Sequence, residues 1–387
     1  MTAPVSSSRI EAVQVLRALA ALLVVVTHAI NANDYRLDMP RSWLGSAGHF
    51  NEFGAIGVDL FFVISGFIMA HTVTSRPELG ARAFLTMRFI RVVPPFWLAS
   101  LVFLPVALLC GRSFAAAQYV DNVTIFPLTK AAAYQMPVLS LGWTLAFEMA
   151  FYGVVALAIA AAPPGRRSAM TMQLVCLLGL AGIYALPEWS VTALLVNPIW
   201  LEFLAGLGVY WVWRRYPAVA RSILALVLAL SLGTLAHGMF FGTGFADHPR
   251  TLFWPDPTLG AGERTGLART IGWGLPSAGL LLASLWLVRA EAAQGLTKSA
   301  AWRAMLRLGD ASYSLYVVHP LVIIPWQYLA PTNTLDPDLM IAVLVALSCA
   351  LAVLTHRHVE APLLALCRSL IGGEQRPASV RNTRHLA

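Results

Sequence analysis

Charged side chains are scarce in this 387-residue chain: Asp, Glu, Lys and Arg make up 12% of it, against 58% hydrophobic residues. Soluble domains carry about 25% charged and about 45–50% apolar residues. The shortfall excludes an ordinary globular fold, because a soluble chain of this size needs far more polar surface to cover itself. Cysteine is sparse too. Cys110, Cys176, Cys349 and Cys367 lie in or beside apolar runs, without metal-ligand spacing or a disulfide frame, and read as packing residues with no metal implied. No loop is much longer than about 30 residues, which leaves no room for a soluble domain. A cleavable leader is not evident either: the first apolar run, Val13 to Ile30, lacks a small-residue cleavage site and reads as a retained helix.

What fills the chain instead is long apolar runs. Ten of them, at roughly 12–32, 54–74, 92–111, 142–162, 170–187, 192–213, 221–242, 269–289, 309–330 and 339–359, are long enough to cross about 30 Å of hydrocarbon. They predict an all-α, polytopic bundle of about ten transmembrane helices, with the lipid bilayer as its main partner. The net charge of +8 would suggest nucleic acid in a soluble protein. Here the basic residues fall in short loops between apolar runs, which is an orientation signal, and no nucleic-acid partner is expected. Nineteen of them fall on the side of the N-terminus and seven on the other, with Arg17 inside a span. Both termini are therefore expected in the cytoplasm. Residues 1–362 form the expected transmembrane domain, and 363–387 a basic cytoplasmic tail expected to be disordered.

An ionisable group inside a span costs about 2.5–3.5 kcal/mol or more, so each one needs a reason. Seven are found: Arg17, His28, Asp59, Glu148, Glu202, Asp310 and His319. Arg17 and His28 are eleven residues apart, which brings both to nearly one helix face, about 16 Å apart along the axis. Glu148 follows the start of its span by six residues, and its expected depth matches that of His28. The match predicts an imidazole–carboxylate contact, with Asp59 at a similar depth as a second partner. Tyr152, four residues after Glu148, lies on the same face and can hold it. Arg88 and Arg91, three apart, form a pair at the membrane surface that can grip phosphates. Gly54, Gly57 and Gly66 permit close approach between helices.

These residues stand in segments that resemble the acyltransferase 3 family of membrane O-acyltransferases, most of all its exopolysaccharide-production acetyltransferase branch. The segments are Gln14 to Ala21 leading to His28; Gly57-Val58-Asp59 through Ser65-Gly66-Phe67; Arg88-Phe89-Ile90-Arg91-Val92-Val93-Pro94; Gly142-Trp143-Thr144-Leu145 through Glu148 to Tyr152; Ser312-Tyr313-Ser314-Leu315-Tyr316 to His319; and Glu360-Ala361-Pro362. They run in family order along nearly the whole chain. The resemblance implies transfer of an acyl group, usually acetyl, from cytoplasmic acyl-CoA to a hydroxyl of a glycan or lipid-linked oligosaccharide at a bacterial inner membrane, next to polysaccharide-assembly proteins. Under it, His28 and Glu148 are the catalytic residues, and Arg17, Arg88 and Arg91 hold the donor, acetyl-CoA or another acyl-CoA. Asp59, Trp143, Tyr152, Tyr313 and His319 support them, Tyr313 and His319 as hydrogen-bond donors to a developing oxyanion. Direct transfer and an acyl-His28 intermediate both stay open. The rival readings are a proton-coupled transporter or flippase and a non-catalytic scaffold. Against the transporter stand the missing internal repeats and the expectation of unbroken helices at the midplane.

Overall fold

The computed structural model describes residues 10–34, 42–46, 49–130, 134–185, 188–216, 219–241, 267–289, 299–329 and 336–372. Among these the chain is helical throughout; the only strand-like pairing is a single bridge between Lys130 and Trp189. The long helices are α1 (Glu11–Asp34), α2 (Ile56–Ser75), α3 (Ala81–Leu109), α4 (Gly142–Ala161), α5 (Arg167–Tyr184), α6 (Trp200–Arg215), α7 (Arg221–Phe241) and α8 (Leu275–Arg289). They are followed by α9 (Ala300–Asp310), α10 (Ser312–Val318), α11 (Pro320–Leu329), α12 (Pro337–Thr355) and α13 (Ala361–Gly372). Two π-helical turns interrupt this order, Thr270–Gly274 before α8 and His356–Glu360 between α12 and α13.

Nine helical stretches among the described residues are long and apolar enough to cross a bilayer, one fewer than the ten expected. The missing one is the run 309–330, which folds as the two short helices α10 and α11, meeting at His319. The cause is Pro320, whose ring nitrogen has no N–H to offer the carbonyl one turn back. The backbone itself stays helical there (His319 φ −58°, ψ −30°), so the run loses a hydrogen bond at this point without being broken. The tail also differs from expectation, since 363–372 continue as helix α13; residues 373–387, like most of the loop 243–268, lie outside the described residues.

Large apolar side chains such as Leu101, Leu109, Leu177, Leu226 and Phe241 are exposed around the periphery, as expected where lipid is the solvent. The interior is packed by aromatic and small residues. Gly66 of α2 and Gly206 of α6 meet reciprocally: a Cβ on the first would overlap the Phe203 carbonyl, and one on the second the Val63 carbonyl. Those two glycines bring the helix backbones together, a common membrane solution. Ties at both ends fix the bundle. Where α1 begins, Trp302 Nε1 donates to Glu11 (2.8 Å), and Arg167 Nη1 donates to the Pro77 and Leu79 carbonyls (2.8 and 3.1 Å). At the opposite end, the Asp338 carboxylate accepts the backbone N–H groups of Trp43 and Leu44 (2.9 and 3.1 Å).

Between α3 and α4 the chain does not stay at the surface. Tyr134, Val138, Leu139 and Leu141 are all buried. Asp121 and Asn122, from the short helix Ala116–Thr124, accept the N–H groups of Leu128 and Leu139 (both 3.0 Å) and hold this descent in place. Burial pushes the Asp121 carboxyl above its ordinary pKa, against the pull of the Leu128 N–H. Helix α4 therefore starts inside the bundle, which sets the depth of Glu148.

Candidate active site

A cavity of about 230 Å³ opens among α1, α2, α3, α4 and α10, toward the end where α1 begins. Arg17, Arg88, Arg91, Glu148, Tyr152 and Tyr313, six of the residues singled out from the sequence, line it together. Glu148 is held by hydroxyls: Tyr152 and Ser65 both donate to Oε1, the serine at 3.4 Å. The Tyr152 contact is the i to i+4 pairing expected from the sequence. Arg88 lies over the rings of Phe84 and Tyr152 (5.5 and 5.4 Å to the centroids) and donates to Thr72 Oγ1 at 3.3 Å. Arg17 and Arg91 make no hydrogen bond and no ion pair among the described residues. Guanidinium groups with unsatisfied donors, around a cavity with one carboxylate, suit a ligand carrying several negative charges.

Tyrosine hydroxyls fix the walls. Tyr313 donates to the Val92 carbonyl (2.5 Å), which ties α10 to α3. Thr144 donates to the Leu141 carbonyl (3.0 Å), so in the 2.8 Å contact between Thr144 and Tyr316 the tyrosine is the donor. With its proton on Val92, Tyr313 is not aimed at a reacting oxygen, which departs from the oxyanion role expected of it. Trp143 is buried against Phe147, rings edge to face at 6.2 Å, and supports the start of α4 from behind the cavity.

His28 does not meet Glu148. Its Nδ1 lies 2.7 Å from Nε2 of His319, which is fully buried at the junction of α10 and α11. The ring centroids are 5.0 Å apart with 20° between planes. That separation equals the N···N distance plus the two ring radii, so the imidazoles lie edge to edge in nearly one plane, as a lone-pair-directed hydrogen bond requires. The expected depth match fails because α4 begins below the bundle surface. Six residues along it bring Glu148 level with Arg17, not with His28.

Asp59 is also engaged elsewhere. Arg269 clamps it through Nε and Nη2 (3.0 and 2.8 Å), with the guanidinium 5.0 Å above the Trp273 ring and a further 3.3 Å bond to the Ala55 carbonyl. Glu202, at the same place, accepts from Thr270 Oγ1 at 3.4 Å. The charge count from the sequence places Arg269 among the outer-loop residues; it is instead 2% exposed. Glu360, known from the sequence only within a matching segment, is buried and accepts from Ser314 (2.5 Å) and His356 (3.0 Å). Ser65 carries no signal in the sequence, since a serine beside a glycine reads as packing until its acceptor is known.

The site thus combines three arginines around one cavity with a histidine farther along the same helix α1. The family model described as an acyltransferase domain (Acyl_transf_3) matches residues 10–357, and the chain belongs to that family. It is a multi-pass membrane acyltransferase. Over 282 residues it is 33% identical to the exopolysaccharide production protein ExoZ of Rhizobium meliloti (strain 1021), an alignment covering 71% of this chain and 78% of that protein.

Proposed function

We propose that this chain is an O-acyltransferase that moves an acyl group, acetyl in the first instance, from cytoplasmic acyl-CoA to a hydroxyl of an extracytoplasmic or lipid-linked glycan. The observation that carries this reading is the pair Arg17 and Arg91, two cations that make no hydrogen bond or ion pair among the described residues and line a cavity at the end where α1 begins. Their side faces the cytoplasm in this reading. The distribution of basic residues supports that orientation, the more so with Arg269 in the interior. The relative's name supports exopolysaccharide as the acceptor, and a bacterial inner membrane is the location this reading takes.

In this mechanism Arg17, Arg88 and Arg91 bind the donor's phosphates, and the cavity beside Glu148 receives its slender arm. Acyl-CoA supplies a thioester, whose carbonyl carbon is the electrophile. His28, about 16 Å farther along α1, takes the proton of the acceptor hydroxyl. The oxygen attacks the carbonyl, the C–S bond breaks, and the leaving thiolate receives the proton from His28. The cavity is walled from the histidines by Tyr316, whose ring is 6.3 Å from that of His319.

Purified protein in bilayer discs, given labelled acetyl-CoA and deacetylated exopolysaccharide, tests the reading. Transfer is expected in the wild type and a loss of about 10²–10⁴-fold in His28→Ala. Undiminished transfer by His28→Ala at equal protein level sinks the assignment. The buried charges of Asp59, Arg269 and Glu202 favour the second reading, a proton-coupled transporter or flippase. Glycan movement into vesicles without acyl-CoA would select it.

A further inference from the structure

We infer that His319 is a positioning residue that fixes the tautomer of His28, leaving His28 Nε2 as the bare nitrogen that takes the acceptor's proton. The inference rests on the proposed acyl transfer for its meaning, while the tautomer itself stands on geometry. His319 Nδ1 lies 3.1 Å from the Leu315 carbonyl oxygen. A carbonyl can only accept, so the proton of a neutral His319 sits on Nδ1, and its Nε2 carries a lone pair. Nε2 is the atom that faces His28 Nδ1 at 2.7 Å, in a nearly coplanar, edge-to-edge arrangement. The hydrogen in that short contact must then come from His28 Nδ1. One proton per neutral ring leaves His28 Nε2 bare, and this nitrogen makes no hydrogen bond among the described residues.

The opposite assignment, with His319 donating, would either set two lone pairs against each other at Leu315 or bury a doubly protonated imidazole. His319 is fully buried and no carboxylate among the described residues bonds to it, so neither is stable. Backbone chemistry reinforces the choice. Pro320 has no N–H for the Tyr316 carbonyl, and that freed carbonyl also lies within reach of the His319 ring. The proline therefore frees one of these two carbonyls, that of Tyr316, while the Leu315 carbonyl also accepts the backbone N–H of His319 (3.3 Å).

During transfer the hydroxyl proton goes to His28 Nε2 while the oxygen bonds to the thioester carbon. The imidazolium keeps its Nδ1–H on His319 and returns the new proton to the thiolate as the C–S bond breaks. His319 itself never changes protonation.

The test uses the full chain labelled with 15N-histidine in bilayer discs, read by two-bond proton–nitrogen correlation and assigned with His28→Asn and His319→Asn. The expected pattern is a protonated Nδ1 with bare Nε2 for both rings. A protonated Nε2 on His28 overturns the inference without any turnover being measured. In kinetics, His319→Leu is expected to lower kcat by about 10²–10⁴-fold, the scale of a wrong tautomer, with KM for acyl-CoA unchanged. His319→Gln, which keeps an acceptor, is expected to recover at least about tenfold of that loss. Equal kcat in Leu, Gln and wild type overturns it, as does equal loss in both variants. If the spectra show the expected tautomers while His28→Ala still transfers acetyl, the acyl-transfer reading fails and the tautomer assignment stands.

Discussion

Two regions of the bundle contain arginines and carboxylates in membrane-spanning helices, and they treat them in opposite ways. At Asp59 and Arg269 the pair is closed: two direct bonds, side chains 0 and 3% exposed, an aromatic face over the cation and a backbone carbonyl on a third donor. Around Glu148 the carboxylate is satisfied by Tyr152 and Ser65, while Arg17 and Arg91 face the cavity with their donors unused. A bundle able to pair its charges has done so in one place and left them open in the other. The closed pair belongs to the architecture, and the open cations await a ligand that brings its own negative charge.

The comparison is most exposed at the closed pair. Asp59→Ala leaves a buried guanidinium alone and is expected to destabilise the protein by about 3–5 kcal/mol, seen as a lower melting temperature and poor recovery in detergent. Replacing both partners, Asp59→Leu with Arg269→Met, is expected to restore most of that stability. A double variant as unstable as the single one breaks the argument. Next in size is the open site. Arg17→Ala or Arg91→Ala is expected to weaken acyl-CoA binding by about 1.5–3 kcal/mol, with little change in melting temperature; a melting shift as large as that of Asp59→Ala would erase the contrast. A smaller effect is expected for Ser65→Ala, which removes one long hydrogen bond to Glu148 and should change transfer by about tenfold or less. The smallest belongs to Tyr316→Phe. Losing its bond to Thr144 should cost about 0.5–1.5 kcal/mol of stability, measurable by thermal unfolding in the same discs.

Much of this architecture is legible in the amino-acid sequence. Apolar runs locate most of the helices within a few residues, because lipid demands continuous internal hydrogen bonding and leaves little else possible. Helix α3 is an exception, since it begins at Ala81, well before its run at 92, and passes through Pro94 and Pro95. Arg17, Arg88, Arg91, Glu148 and Tyr152 stand out for the same reason, each a polar group in a place where polarity is costly. Partnership is what the sequence does not carry. The pairing of His28 with His319 joins residues 291 positions apart, and nothing in helical period specifies which helices touch. The depth of Glu148 departs from expectation because the buried descent of residues 134–141 shifts the start of α4 inward. Arg269 is hidden by a boundary: it is the first residue of the apolar run 269–289, where a shift of one turn separates loop from core.

The two π turns carry a consequence of a different kind. Each fits about one residue more into a turn than an α-helix does, and so absorbs the roughly 100° that an extra residue would otherwise add to everything after it. At His356–Glu360 that offset lies where Glu360 faces Ser314 and His356, and where α13 sets out across the bundle. Removing a single residue there would let the wide turn close to an α-helical one and leave α13 facing as it does now, whereas the same deletion in a regular turn would swing all that follows by about 100°. Elsewhere in these helices a change of length by one residue is an angular change; at the two π turns it is absorbed.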